Sequence, residues 1–156
     1  MALGATTYKT PNIINQIGRD MTSREGCGVY LGYDGDPIAN TVSVADTSGR
    51  VPYGIIVTGT DSLTPGSYPS SIGDASLELV DQLGCVVQVL ISSYGVVNAG
   101  DFLFIDNSDA DGTFVSLAQV AAVEGDWIWG YALTNAEQGQ QCLMRFQPFQ
   151  VQYVAP

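Results

Sequence analysis

The sequence predicts a mostly β protein: a small β-barrel domain carrying an extended N-terminal arm and at most one short helix. Three observations lead there. The 156 residues suffice for one domain with a real hydrophobic core but not comfortably for two. Charged residues make up only 13% while Gly, Thr, Val, Ser and Asn are plentiful, which suits short strands and tight turns better than long surface helices. From Thr41 onward, short apolar runs are punctuated by Gly, Asp, Asn and Pro at the spacing of barrels and sandwiches.

Residues 1–40 show neither sustained alternation nor helical spacing, and they end in the turn-rich run Gly32-Tyr33-Asp34-Gly35-Asp36-Pro37. They are read as an arm with loops, ahead of a domain over 41–156. Ile13, Ile14, Ile17, Val29, Tyr30 and Leu31 set this segment apart from a freely solvated tail, and its first 24 residues hold Lys9, Arg19 and Arg24 against Asp20 alone. Two fates fit such a segment: ordering on a neighbouring molecule, or packing on its own barrel.

Candidate strands follow at 41–45, 54–58, 85–92, 102–105, 113–117, 127–133 and 142–147. Leu77, Val80 and Leu83 have helical spacing while Leu77 and Leu79 alternate, so that piece fits a short helix or a strand. Residues 64–71 form a loop by their Pro, Gly and Ser content. An internal echo links Tyr53-Gly54-Ile55-Ile56-Val57-Thr58 with Trp129-Gly130-Tyr131-Ala132-Leu133-Thr134, each ahead of a strand led by Cys85 or Cys142. Two related halves closing one barrel would produce it, as would chance among β-forming strings.

Trp127, Trp129 and Tyr131 alternate, which in a regular strand puts all three on one face. That stripe can fill the core, form a subunit interface or stack on carbohydrate. The tail repeats the pattern, with Phe149, Val151 and Tyr153 opposite Gln150 and Gln152, and Pro148 and Pro156 bracketing them. It reads as an edge strand that closes its own sheet or reaches a neighbour's.

Charge is unevenly distributed. The chain carries −11 overall, residues 51–144 hold eleven carboxylates and no base, and Arg145 follows. So acidic a body repels phosphate backbones, and nucleic acid is not an expected partner. No stretch approaches the roughly 18 to 20 apolar residues of a membrane span, and no basic-then-apolar leader opens the chain, so no membrane association is expected. Cys27, Cys85 and Cys142 are odd in number, far apart and in no CxxC pair, and are read as reduced core thiols.

Enzymatic chemistry finds few carriers. Histidine is absent, which removes the usual base of a Ser or Cys nucleophile and the commonest transition-metal ligand. No phosphate-cradling, dinucleotide or zinc-protease motif occurs, and no cofactor is expected. The run Asn107-Ser108-Asp109-Ala110-Asp111-Gly112 places Asn107, Asp109 and Asp111 like the start of a calcium loop, but the twelfth position is Ala118 instead of the closing Glu. Asp, Asn and Gly are also ordinary hairpin-turn residues, and an acidic turn is the expectation.

The order of these pieces resembles the decoration, or cement, proteins of tailed-bacteriophage capsids. The resemblance runs from about Val51 to Pro148. It rests on Tyr53-Gly54-Ile55-Ile56, on Gly84-Cys85-Val86-Val87-Gln88-Val89-Leu90, on Asn98-Ala99-Gly100-Asp101-Phe102-Leu103-Phe104-Ile105-Asp106, and on Gly130-Tyr131-Ala132-Leu133-Thr134-Asn135-Ala136-Glu137-Gln138-Gly139. It implies a small barrel or tulip-like domain, commonly trimeric, on the outer surface of a viral head made in a bacterial host. The partners so implied are the major capsid protein and further copies of the chain. On this reading Lys9, Ile13, Ile14, Ile17, Arg19 and Arg24 reach the shell, while Trp127, Trp129, Tyr131, Phe149, Val151 and Tyr153 form the core or the contact between copies. The alternative is a phage tail or fibre module that contacts glycans through the aromatic stripe and acidic turn.

Overall fold

In the computed structural model, residues 16–17, 25–31, 41–58, 78–109 and 111–152 are described. Among them the chain forms strands and turns and no helix: β1 (Gln16–Ile17), β2 (Gly28–Leu31), β3 (Thr41–Val44), β4 (Gly54–Thr58), β5 (Glu78–Val80), β6 (Val86–Leu90), β7 (Phe102–Ile105), β8 (Phe114–Ser116), β9 (Trp127–Ala132) and β10 (Gln141–Gln150). The ambiguous piece around Leu79 is thus a strand, antiparallel to β4. The expected strands from 41 onward all form: β4 and β7 keep the expected bounds, β3, β6, β8 and β9 are shorter by one to three residues, and β10 is longer than expected, running from Gln141 to Gln150.

The strands make two five-stranded sheets, in the orders β1-β3-β2-β4-β5 and β6-β10-β9-β7-β8. Only β1 against β3 is parallel among these ladders. Among the described residues the strands do not close into the expected barrel. A lone parallel bridge, Ile91 to Phe114, brings β8 against the residue after β6 without making a ladder between the edges.

The two sheets share one core. Tyr30, Ala45 and Ile55 from the first pack with Val87, Val89, Ile105, Phe114, Trp129, Met144 and Phe146 from the second. Trp129 is its largest member and has Phe114 at 5.4 Å in an edge-on arrangement and Phe146 at 6.1 Å. Backbone bonds stitch the sheets: Leu90 N–H donates to Gly26 O, Gly28 N–H to Gly112 O and Trp127 N–H to Ser48 O.

Residues 25–31, read from sequence as part of the arm, belong to this core. β2 lies between β3 and β4, and Cys27, Val29 and Tyr30 are buried. A strand of four residues that opens on Gly28 and is followed by Gly32 is too short for alternation to announce it. The internal echo does not mark two halves, because β6, β9 and β10 all lie in the second sheet while β4 lies in the first. Of the cysteines, Cys27 and Cys142 are core thiols, but Cys85 is only half-buried, its Sγ 3.4 Å from Gln82 Oε1. No helix among the described residues is long and apolar enough to cross a membrane.

Candidate functional site

The aromatic stripe on β9 is split by a bulge. Gly130 pairs with Leu103 on one side and Phe146 on the other, whereas Ile128 pairs with Phe104 and Phe149. Trp129 is therefore the extra residue opposite β7, and it faces Gln147 and Pro148 on β10. The bulge resets the alternation: Trp129 and Ala132 enter the shared core and Trp127 packs against it, while Tyr131 goes to the opposite face. The sequence expectation of one face for Trp127, Trp129 and Tyr131 fails here because period-2 logic holds only in an unbulged strand. Stacking on a sugar needs an open ring, and Trp129 is 0% exposed.

Pro148 sits inside the same irregularity, where the ladder skips from Phe146 to Phe149, so its missing N–H removes no regular rung. The tail is accordingly no separate strand. Phe149 and Gln150 continue β10 and pair with Ile128 and Trp127, beyond the last β6 partner of β10. Val151 packs with Phe104, Val115, Ile128 and Ala122 in a second, smaller apolar cluster on the outer face.

The outer face of the second sheet carries the most distinctive surface among the described residues. Val86, Arg145, Tyr131 and Phe102 stand directly opposite one another in a row crossing β6, β10, β9 and β7. Leu143 lies two residues along β10 from Arg145 on the same face, and Phe149 meets Phe102 edge-on at 5.7 Å. Phe102 also meets Tyr131 edge-on at 6.5 Å. Val86 is 47% exposed, Phe149 45%, Phe102 44% and Leu143 37%. The guanidinium of Arg145 donates to Gly84 O at 2.9 Å, which lays its stem along the sheet. Strands β6 to β10 contain no Asp or Glu.

The acidic turn is a structural brace. Asn107 Oδ1 accepts from Ser48 N–H at 2.6 Å, and the Ser48 hydroxyl, 3.0 Å from that oxygen and 2.6 Å from Asp126 Oδ1, gives its one proton to the carboxylate. Asp109 Oδ2 accepts from Thr113 Oγ1, and Gly112 O accepts from Gly28 N–H. The preceding Asp106 is buried and accepts from both Ser108 N–H and Ser108 Oγ. Burial pushes its pKa up, but the donors from Ser108 and Ser92 outweigh that and hold it below the usual carboxylate value. Among the described residues no group of three or more His, Cys, Asp or Glu side chains is placed to hold a metal ion.

Lys9, Ile13, Ile14, Arg19, Arg24 and Tyr153 lie outside the described residues; Ile17 ends β1, paired with Val42 of β3. Sequence reasoning missed Phe102, Val86, Leu143, Ser48 and Asp126. A usable signal existed for Phe102: four successive apolar residues, Phe102-Leu103-Phe104-Ile105, announce a strand with apolar contacts on both faces.

The architecture places this chain among all-β proteins built of two small sheets sharing a core. One solved structure with this fold is the head fiber gp8.5 N base of bacteriophage phi29. It superposes with a TM-score of 0.51 at 17% sequence identity, covering 88% of this chain and 94% of that one. No protein-family model matches the sequence, and no curated protein matches it.

Proposed function

We propose that this chain is a non-enzymatic structural protein of a tailed-phage virion that decorates the outside of the head and stabilises contacts between major capsid subunits. The observation that carries the proposal is the fold likeness to the phi29 head fiber base, which spans nearly the whole of both chains. The absence of histidine from all 156 residues and the use of the acidic turn as a brace support a role in binding over one in catalysis.

The partners in this reading are the major capsid protein and further copies of the chain, arranged as a homotrimer. The first 24 residues, with Lys9, Arg19 and Arg24 among Ile13, Ile14 and Ile17, are the segment that reaches the shell. Ordering such a segment costs entropy that extended contact must offset. Three linked copies raise the effective concentration of each contact, so modest affinity per subunit gives slow release.

Co-sedimentation of the purified protein with intact heads of the virus that encodes it tests the reading. Saturable binding to heads and none to isolated tails is expected; binding to tails alone, or to neither, overturns it. Removing residues 2–24, which takes only the two-residue edge strand β1 from the described fold, should leave the other strands folded and weaken head binding.

A further inference from the structure

We infer that the outer face of the second sheet, with Phe102, Tyr131 and Phe149 at its centre and Val86, Leu143 and Arg145 around them, is the surface by which copies of this chain bind one another. This deepens the self-association part of the reading above and is independent of head binding. Charge decides where two copies can meet. In a chain with 16 carboxylates and five bases, two copies repel at long range, and they can touch favourably only where carboxylates are missing. The strands that build this face carry none. The Asp and Glu residues of 81–152 are all in the connections, at 81, 101, 106, 109, 111, 124, 126 and 137.

Charge complementarity then selects the occupant. Arg145 is the sole base in residues 51–156, and it stands in the middle of the apolar row with the acids of the connections at the strand ends. A second copy offers an apolar face to these rings and carboxylates at its rim to the guanidinium. The basic segment 1–24 fits this face less well: beside its isoleucines and its single acid, Asp20, it would bring Lys9, Arg19 and Arg24 against Arg145. Four strands about 4.8 Å apart and five residues at about 3.3 Å give roughly 300 Å² in projection. That is within the range of functional surface patches but well below the roughly 800 Å² per partner of a standard interface. The contact is therefore weak for a single pair and gains strength when repeated around a closed ring.

Sedimentation velocity of the full chain from low micromolar to millimolar concentration tests this, in low salt and in about 0.5 M salt, where repulsion is screened. The expected result is reversible association that strengthens with salt and weakens more than about tenfold in F102D and, separately, in L143E, the size of a hot-spot loss. Both positions are substantially exposed, and circular dichroism verifies that each variant folds. Deleting residues 2–24 should leave association unchanged. A wild-type chain that stays monomeric throughout overturns self-association altogether. Association that survives both folded variants overturns this face as its seat while leaving the homotrimer and head binding standing.

Discussion

Gly28 of β2 lies against the indole of Trp129 across the junction of the two sheets. A Cβ built on Gly28 would stand 2.8 Å from Trp129 Cη2 and 2.9 Å from both Trp129 Cζ3 and Ile105 Cδ1. The first sheet reaches the second here only because one residue has no side chain to occupy the space that the Trp129 indole fills.

Filling the space should therefore be costly. Gly28→Ala is expected to lower unfolding stability by about 1–3 kcal/mol through overpacking, and Trp129→Ala by about 3–5 kcal/mol through the cavity it leaves. The two should be strongly non-additive: Gly28→Ala in a Trp129→Phe background should cost much less than alone. Urea denaturation of the four chains of this cycle measures the coupling.

Gly112 makes the second close approach. Its φ is +75°, and a Cβ there would lie 2.5 Å from Val44 Cγ1 and 2.8 Å from Gly28 O. Gly139 has a similar φ of +70° with nothing within 4 Å. Gly139→Ala should cost only the left-handed backbone penalty of about 1–2 kcal/mol, and Gly112→Ala distinctly more, in parallel denaturation curves. Equal losses would mean that the hairpin tip is not docked on the first sheet.

Ser48→Ala removes the proton that Asp126 Oδ1 receives, and Asp126 is buried. The expected loss is about 1–3 kcal/mol, since a buried carboxylate oxygen is left without that donor. Asp126→Asn should suffer less, because its amide oxygen still accepts from Ser48 or from Val123 N–H. Thermal unfolding at neutral pH ranks the two.

Asp106 gives the fold an acid-side pH dependence. Its folded pKa lies below the ordinary value of about 3.9, so its contribution is fully present above that value and is lost as the pH falls through the lowered one. Asp106→Asn should be less stable than the parent at pH 7 and converge with it as the pH is lowered through the carboxylate range. Denaturation midpoints at a series of pH values read this directly.

Burial pushes the Cys142 thiol up to about 11, and Cys27 is fully buried, whereas Cys85 is half-buried near the chain surface. An alkylating reagent at pH 8 should modify Cys85 first and spare the other two until the protein unfolds. Mass mapping of the native, labelled chain checks it.

The β class was legible because it depends on local features: β-branched and aromatic runs at 54–58, 86–90 and 102–105, cut by Gly, Asp and Asn turns. Even the residue types in the resemblance proved to be fold devices. Asp101 Oδ2 accepts from Asn98 N–H and Ser116 Oγ, and Asn135 Oδ1 accepts from Ala99 N–H, which holds the lead-in to β7 in place. Such turns specify where strands begin.

What the sequence by itself determined is therefore the strands β3, β4 and β6 to β9 with the start of β10, the acidity of the turns and the lack of histidine chemistry. Tertiary structure alone decided that the strands form two sheets, that β2 is central and that Phe102 and Tyr131 share an outer face while Trp129 is sealed inside. The physical reason is that a bulge inserts one residue into the two-residue period, and it forms only when β7, β9 and β10 pair together. Alternation along a single strand carries no record of its partners' register, so the face on which an aromatic ring ends is settled by long-range pairing.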